Sequence, residues 1–424
     1  MKRFISVLIL SFVLACSSTP AARPVLDPAD PFDGLRRLAD QLEASAEIAQ
    51  TASASSVPFG QGEGALHVLR LMRRAIDEEI AWANTDQPFF QAQDERYAKL
   101  ALGNPDNLYL VTRVEDDAVY RISGRRGTTA DFTIQLYQGY PGVHRPMTAR
   151  GALGLDQLEI DSNGHFEVFV GGPHREQNWI ELTPDTRRIL VRFTYGDWAR
   201  EEAGDLKIER VGTRGMASRP VADRVVAQRI AAAADYLGDA LNGYLEIVDQ
   251  VFTGLETNSL RPMRRLSGAV GGLANQYNVT GRYQLEPDQA LVVTTLPSDA
   301  RYQGFQIGTE WFESLDFANQ TTSLNTAQAQ MSSDGRYRFV VSQRDPGVAN
   351  WLDASGAPTG QILLRWQGVG ELGDEHEPTI ELIPLNEVAS KFPSDQSRFG
   401  AEERRAQIAE RQDSIKRRYG LSRR

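Results

Sequence analysis

Residues 163–170 read NGHFEVFV, and residues 334–341 read DGRYRFVV. Each stretch begins with a turn dipeptide that contains glycine and continues as a β-branched and aromatic run, the pattern of a tight turn followed by a strand. Further matches follow in the same order: Asn178-Trp179 with Asn350-Trp351, residues 189–193 (ILVRF) with 362–366 (ILLRW), Asn107 with Asn278, and Asp117 with Asp288. The offset stays between 171 and 173 residues. The chain is therefore predicted to contain two copies of one β module.

Helical patterns precede both modules. Within residues 32–48, and again within 66–80, apolar residues recur every three or four positions. A longer pattern of the same kind runs through residues 221–252. Because helices and strands are grouped along the chain rather than alternating, the predicted fold class is α+β. It comprises two homologous antiparallel β-sandwich-like modules, each preceded by helices, and a C-terminal helix.

The same patterns set the expected boundaries. They are a signal peptide at 1–15, a lipidated Cys16 with a tether at 16–31, a helical lead at 32–103, a first β module at 104–212, linking helices at 220–256, a second β module at 275–385, and a charged C-terminal helix at 398–424. The tail from 401 to 424 carries eight Lys or Arg against four Asp or Glu. We interpret it as a solvated terminal helix, with a docking helix for an acidic partner as the alternative.

The first sixteen residues, MKRFISVLILSFVLAC, have the order of a secretory leader: two cations, a short apolar run and a small residue before Cys16. The apolar run is too short for a membrane-spanning helix, which needs about 20 residues. Residues 13–16 (VLAC) resemble the bacterial lipobox, which implies that Cys16 becomes the diacylated first residue of the mature chain. Ser17 and Ser18 after it imply sorting to the outer membrane, facing the periplasm. The alternative is an ordinary cleaved signal with an incidental cysteine.

Composition narrows the class of protein. Cys16 is the sole cysteine among 424 residues, so a lipidated chain has no disulfide and no thiol nucleophile. Removing Lys2 and Arg3 with the leader takes the formal net charge from −10 to −12, which disfavours a nucleic-acid partner. The apolar content of 41% is that of a globular protein. The expected partners are the membrane, through the lipid, and a small molecule or protein of unknown identity.

Several motifs of the second copy resemble a bacterial family known as domain of unknown function 1214. The motifs, in order, are LPSD (296–299), DG (334–335), DPGVANWL (345–352) and ILLRW (362–366). The first copy is similar to the family more distantly, and residues 120–127 (YRISGRRG) look like the start of the β region in its longer members. The resemblance implies a β-rich domain and no settled activity.

The recurring Asn-Trp pairs and arginines are candidate binding residues. Trp179 and Trp351 are expected to lock a loop onto the core, and a stacking platform for a sugar or another flat ligand is the alternative. Arg192 and Arg365 lie in apolar strands. Each is expected to pair with a carboxylate inside its own module, or else to clamp an anionic ligand.

A second cluster occurs in the first copy alone. His174 and Glu176 lie close to Trp179 in sequence, with His165, Tyr140 and His144 nearby. The leading hypothesis is a lipid-anchored envelope protein that binds a ligand or partner through its β modules, with His174, Glu176, Trp179 and Arg192 as candidate binding residues. The alternative is an envelope enzyme, a hydrolase acting on a sugar or sulfated substrate. We predict no catalytic residue, cofactor or metal site, because no spacing in the sequence matches a known catalytic or metal motif.

Overall fold

The computed structural model describes residues 27–139, 148–218, 220–252, 254–266, 273 and 276–420. The predicted leader, Cys16 and most of the tether lie outside the described residues, as do Tyr140 and His144.

The chain folds into helices at its two ends and in its middle, separated by two sets of strands. The described α-helices are α1 (Pro31–Thr51), α2 (Gly60–Ile76), α3 (Glu95–Ala98), α4 (Asp223–Phe252) and α5 (Ala401–Tyr419). A π-helical turn, Asp77–Ala81, extends α2, and 3-10 segments lie at Ser53–Ser55, Leu155–Gln157, Asp374–His376 and Leu385–Lys391.

The first set of strands forms a two-sheet module. Its strands are β1 (Gln91–Gln93), β2 (Asn107–Arg113), β3 (Tyr120–Arg125), β4 (Asp131–Gln138), β5 (Thr148–Gly154), β6 (His165–Val170), β7 (Trp179–Ile180), β8 (Thr186–Thr194) and β9 (Leu206–Arg210). One sheet has the order β1-β2-β8-β4-β5, and the other β7-β6-β3-β9. Inward-facing apolar side chains of both sheets, such as Phe132, Val168 and Val191, form the core between them.

The second set repeats this arrangement. Its strands are β10 (Ser259–Leu260), β11 (Arg264–Arg265), β12 (Gln276–Gln284), β13 (Gln289–Thr295), β14 (Tyr302–Gly308), β15 (Ser323–Asn325), β16 (Tyr337–Ser342), β17 (Trp351–Asp353), β18 (Thr359–Gln367) and β19 (Thr379–Pro384). The sheet orders β10-β12-β18-β14-β15 and β17-β16-β13-β19 match the first module strand for strand, with β11 added beside β12. In each module, the short strand that holds the tryptophan of the Asn-Trp pair (β7 or β17) is parallel to its neighbour. The other described strand pairings are antiparallel.

The duplicated fold is confirmed, and one of the sequence equivalences is shifted. In the first module Asn107 lies opposite Thr194. In the second module the equivalent of Thr194 is Gln367, and Gln276 lies opposite it. The structural equivalent of Asn107 is therefore Gln276 and not Asn278. A slip of two residues keeps a side chain on the same sheet face, which is why the alternating pattern did not reveal it. Gly164 and Gly335 both have the left-handed backbone that their turns require, with φ of 80° and 79°.

The helices that precede the two modules pack together into one bundle. Leu71 of α2 and Leu237 of α4 are buried in its core, which Trp311 from the second module closes. The region predicted to hold linking helices is one helix of 30 residues, α4. Gly34 of α1 lies so close to α4 that an added Cβ would be 3.2 Å from the Cβ of Ile230. No helix in the described part of the chain is long and apolar enough to cross a bilayer.

The C-terminal helix α5 docks across both modules, so its interpretation as a solvated helix is wrong. Arg404, Arg411 and Arg418 are spaced seven residues apart, about two turns, and all three are buried. Each donates to backbone carbonyls of the body: Arg404 to Val348 and Ala349, Arg411 to Phe317 and Ser323, and Arg418 to Pro105. The sequence pattern missed this contact because the buried stripe is made of arginine rather than apolar residues.

Candidate ligand site between the two modules

The Asn-Trp pairs make the same contacts in both copies. The indole Nε1 of Trp179 donates to the carbonyl of Gly171, and that of Trp351 donates to the carbonyl of Ser342, both at 3.1 Å. The adjacent asparagines each clamp the chain segment before the turn, at Glu159 and at Gln330, through two backbone hydrogen bonds. Identical bonding in both copies is what a fold-determining motif requires.

The two tryptophans differ in what covers them. Trp351 is buried and lies under the guanidinium of Arg404, 4.9 Å from its ring centroid. Trp179 is half-buried and meets the imidazole of His174 edge-on at 4.8 Å. Glu176 is exposed in the same loop.

Arg192 lies apart from these three residues. It belongs to β8, in the sheet opposite the one that holds Trp179, and its neighbours Val191 and Phe193 point into the core between the sheets. Side chains alternate along a strand, so Arg192 points away from that core. His174, Glu176 and Arg192 therefore do not converge on one pocket.

Arg192 instead meets its equivalent from the second module. Arg365 alternates in the same way with Leu364 and Trp366, which lie in the second core. The two sheet faces that carry these arginines meet at equivalent strand ends, where Thr194 and Gln367 are 3.4 Å apart. Burial lowers the pKa of Arg365, and the positive charge of Arg192 adds to that effect. The duplication thus brings two like charges together at the junction of the modules.

Both guanidinium groups have neutral hydrogen-bond partners. Arg192 donates to Oε1 of Gln135 and to the hydroxyl of Tyr137, and Arg365 donates to Oε1 of Gln306 and to the carbonyl of Leu102. Among the described residues, no carboxylate lies within 4.0 Å of either arginine. The predicted carboxylate partners are therefore wrong. Glutamine takes the place of the expected carboxylate, because the strand next to each arginine carries a glutamine within reach of the guanidinium group. An amide oxygen accepts a hydrogen bond without neutralising the positive charge.

Glu95 is a buried acid that feels the charge of Arg365. It is fully buried at the start of α3, held by Nε2 of Gln93 at its Oε1, while its Oε2 has no hydrogen-bond partner among the described residues. Burial raises the pKa of Glu95 to about 7. Protonation of the Glu95 carboxyl removes a negative charge from the surroundings of Arg365, whose guanidinium stays charged.

A rigid polar contact fixes the rim of the junction. Asp106 is buried and accepts three hydrogen bonds: from the hydroxyl of Tyr302 at 2.6 Å, from Nε1 of Trp198 at 2.6 Å, and from Nδ2 of Asn325 at 2.9 Å. Burial raises the pKa of Asp106. Because Tyr302 and Asn325 come from the second module, these bonds hold the modules in one relative position.

A separate cleft of about 400 Å³ lies beside α5. Its lining comes from both modules and the helix and includes Trp198, Gln328 and Arg411. The guanidinium of Arg411 is already bonded to the carbonyls of Phe317 and Ser323, so this cleft has no free buried cation. None of the four predicted binding residues lines it.

Sequence reasoning found Arg192 and missed its surroundings. Glu95, Asp106 and the two glutamines, Gln135 and Gln306, carried no motif that we recognised. The offset of 171 residues relates Gln135 to Gln306 and could have revealed both. In the described part of the chain, no group of three or more His, Cys, Asp or Glu residues is arranged to hold a metal ion.

The chain is similar to solved structures but matches no known protein family. No protein-family model matches it, and no curated protein does. The crystal structure of an uncharacterised protein from Burkholderia cenocepacia is similar, with 29% identity and a TM-score of 0.78 over 85% of this chain and 99% of that one. A protein from Vibrio parahaemolyticus aligns over 82% of this chain and 100% of its own, at 11% identity and a TM-score of 0.43, a likeness too weak to bear on fold or function. The arrangement described here therefore extends over nearly the whole Burkholderia protein.

Proposed function

We propose that this chain is a lipid-anchored envelope protein that binds a small anionic ligand at the junction of its two β modules. The observation that carries the proposal is the pair Arg192 and Arg365, two buried cations from equivalent positions that have neutral partners alone.

Buried charge explains why an anion fits. A guanidinium group removed from water is costly unless an opposite charge compensates it, and two such groups close together repel. An anion between them would supply the missing charge, and guanidinium groups bind carboxylate, sulfate and phosphate oxygens through paired N–H donors.

The two arginines are not completely sealed from solvent. Arg192 keeps 9% and Arg365 keeps 8% of the residue's surface accessible. This residual access favours a compact ligand, such as a sulfate, phosphate or carboxylate group, over a bulky one.

The location belongs to the same proposal. The lipobox-like residues 13–16 would place a diacyl group on Cys16, and two chains at one residue are sufficient for durable anchoring. The order of the leader and the two serines after Cys16 favour the periplasmic face of the outer membrane.

Calorimetric titration with sulfate, phosphate and acetate tests the binding site. We expect at least one of these anions to bind the purified chain, and Arg192→Gln and Arg365→Gln each to weaken binding by about tenfold or more, since each removes a charge-assisted contact. Arg200→Gln is the matched control, because Arg200 carries the same charge with 87% of its side chain exposed. Binding that is unchanged in both junction variants, or equally reduced in the control, would contradict the proposal.

The enzyme alternative has less support. His174 and Glu176 share a loop with Trp179, but Arg192 lies across the sandwich on the outer face of the other sheet. The described residues thus give that hypothesis no assembled site.

A further inference from the structure

One face of helix α2 is exposed and almost entirely apolar. Leu66, Leu69, Ile76 and Ile80 are 45%, 54%, 37% and 39% exposed. With Arg73 they recur every three or four residues, which places them in one stripe along α2 and its π-helical extension. The opposite face of α2, with Leu71, is buried in the helical bundle.

The start of α1 also exposes large apolar side chains. Met72 of α2 packs against the buried cluster that Leu38 of α1 forms with Ile230 and Ala234 of α4, so the first half of α1 lies near the end of α2. The first turn of α1 exposes Phe32 and Leu35, at 68% and 49%. Of the fourteen large apolar side chains exposed in the described part of the chain, eight lie between residues 32 and 89. The exposed apolar surface is thus concentrated in the helical lead.

We infer that this stripe lies against the membrane surface, with its apolar side chains in the boundary between lipid headgroups and acyl chains. The inference rests on the proposed lipid anchor at Cys16. Fourteen residues separate Cys16 from the start of α1 at Pro31, a length of at most about 50 Å when fully extended. The anchor would therefore keep the start of α1 within about 50 Å of the bilayer, so the helical lead can reach the membrane surface.

The charge of the patch fits lipid better than a second copy of the chain. Arg73 lies inside the stripe with 58% of its side chain exposed. In a contact between two copies its guanidinium would be buried against apolar side chains, which is costly. At a bilayer its stem lies in the interface while the guanidinium reaches the headgroup phosphates.

The neighbouring charges lower the electrostatic cost of approach. Arg36 and Arg37 flank the stripe and pair with Asp33 and Asp235, so the patch is close to neutral. The full chain is acidic, with a formal net charge of −10, or −12 without the predicted leader. An acidic protein is repelled by anionic lipid, and a nearly neutral patch reduces that repulsion at the point of contact.

Vesicle flotation tests this inference without lipidation of the protein. The chain carrying Cys16→Ala is mixed with vesicles of phosphatidylethanolamine and phosphatidylglycerol. We expect weak but measurable binding. Adding Leu69→Glu and Ile76→Glu should lower the partition coefficient by about tenfold or more. The matched control adds Val211→Glu and Leu382→Glu, at exposed apolar positions of similar accessibility, 49% and 45%, outside the helical lead. Equal partition of the two double variants would overturn the inference.

Two further readouts keep the interpretation unambiguous. Melting temperatures of the two double variants should stay near that of the parent, because all four positions are exposed. Light scattering must show the parent as a monomer; a dimer that Leu69→Glu and Ile76→Glu dissociate would assign the stripe to a second copy and overturn the membrane contact. If the proposed lipid anchor is wrong, Cys16 will be found unmodified in cells. That result is independent of the vesicle-binding measurement.

Discussion

Trp179 and Trp351 make the same indole-to-carbonyl hydrogen bond in the two modules, yet Trp351 alone lies beneath an arginine of the C-terminal helix. The shared bond belongs to the duplicated fold. The cover over Trp351 was added by a segment that follows the second module. Equivalent residues therefore carry the same local role with different amounts of burial, and their substitution should have graded effects.

Truncation of each tryptophan to alanine should destabilise the protein. We expect Trp351→Ala to cost about 3–5 kcal/mol, the usual range for a large buried aromatic side chain, and Trp179→Ala to cost less because it is half-buried. Thermal unfolding measures both. Phenylalanine at each position is the control, since it restores most of the volume without the indole hydrogen bond. A melting temperature near that of the wild type for Trp179→Ala would instead favour a ligand platform at that tryptophan.

Removal of Arg411 should loosen the junction of the modules. Arg411→Ala leaves the carbonyls of Phe317 and Ser323 without their donor, and each buried unsatisfied group costs about 1–3 kcal/mol. Arg405→Ala, on the exposed face of the same helix, should change stability by less than about 0.5 kcal/mol. Chemical denaturation of both variants gives the comparison. Equal stability would mean that α5 contributes little to the body.

Glu95 should make stability depend on pH in a defined direction. Burial raises its pKa from 4.5 to about 7, so the folded protein binds more protons than the unfolded chain between those values. Its contribution to stability is then most favourable below about pH 4.5 and falls as pH rises to about 7. Glu95→Gln should remove this dependence and gain on the order of 3 kcal/mol relative to wild type at pH 8. Denaturation curves at pH 5 and pH 8 that shift both proteins equally would disprove the assignment.

The same titration should modulate anion binding. A neutral Glu95 no longer offsets the charge of Arg365, and an ionised Glu95 competes with the ligand. Affinity for the anion should therefore fall as pH rises through about 7, and Glu95→Gln should flatten that profile. Titrations at pH 6 and pH 8, with an anion whose own charge is constant over that range, provide the measurement.

Replacement of Cys16 should release the protein from the envelope. The apolar run before Cys16 is too short to span a bilayer. We therefore expect the wild-type protein to be attached through the lipid alone. Fractionation of cells that express Cys16→Ala should move the protein to the soluble periplasmic fraction. Ser17→Ala serves as the control and should remain in the membrane fraction.

The internal repeat predicted most of the fold, because alternating apolar runs and glycine turns reflect local backbone geometry. It could not place the modules relative to each other, since that depends on polar contacts such as Asp106 with Tyr302, between residues 196 positions apart. Arg192 was recognisable as an unusual residue in an apolar strand. Its environment was not, because its partner Gln135 lies on the adjacent strand β4, 57 residues away in sequence, and leaves no pattern near Arg192.

The position of α5 has a consequence for biosynthesis. The helix that ties Pro105 to Ala349 follows both β modules along the chain, so it is synthesised after them. Each β module can form its own core earlier, as domains of a growing chain generally do. The arginine contacts that α5 makes across the joint form only when residues 401–419 arrive. A nascent chain that stops short of this helix would thus carry two folded halves without those contacts, which leaves a surface of the kind that proteases and chaperones detect.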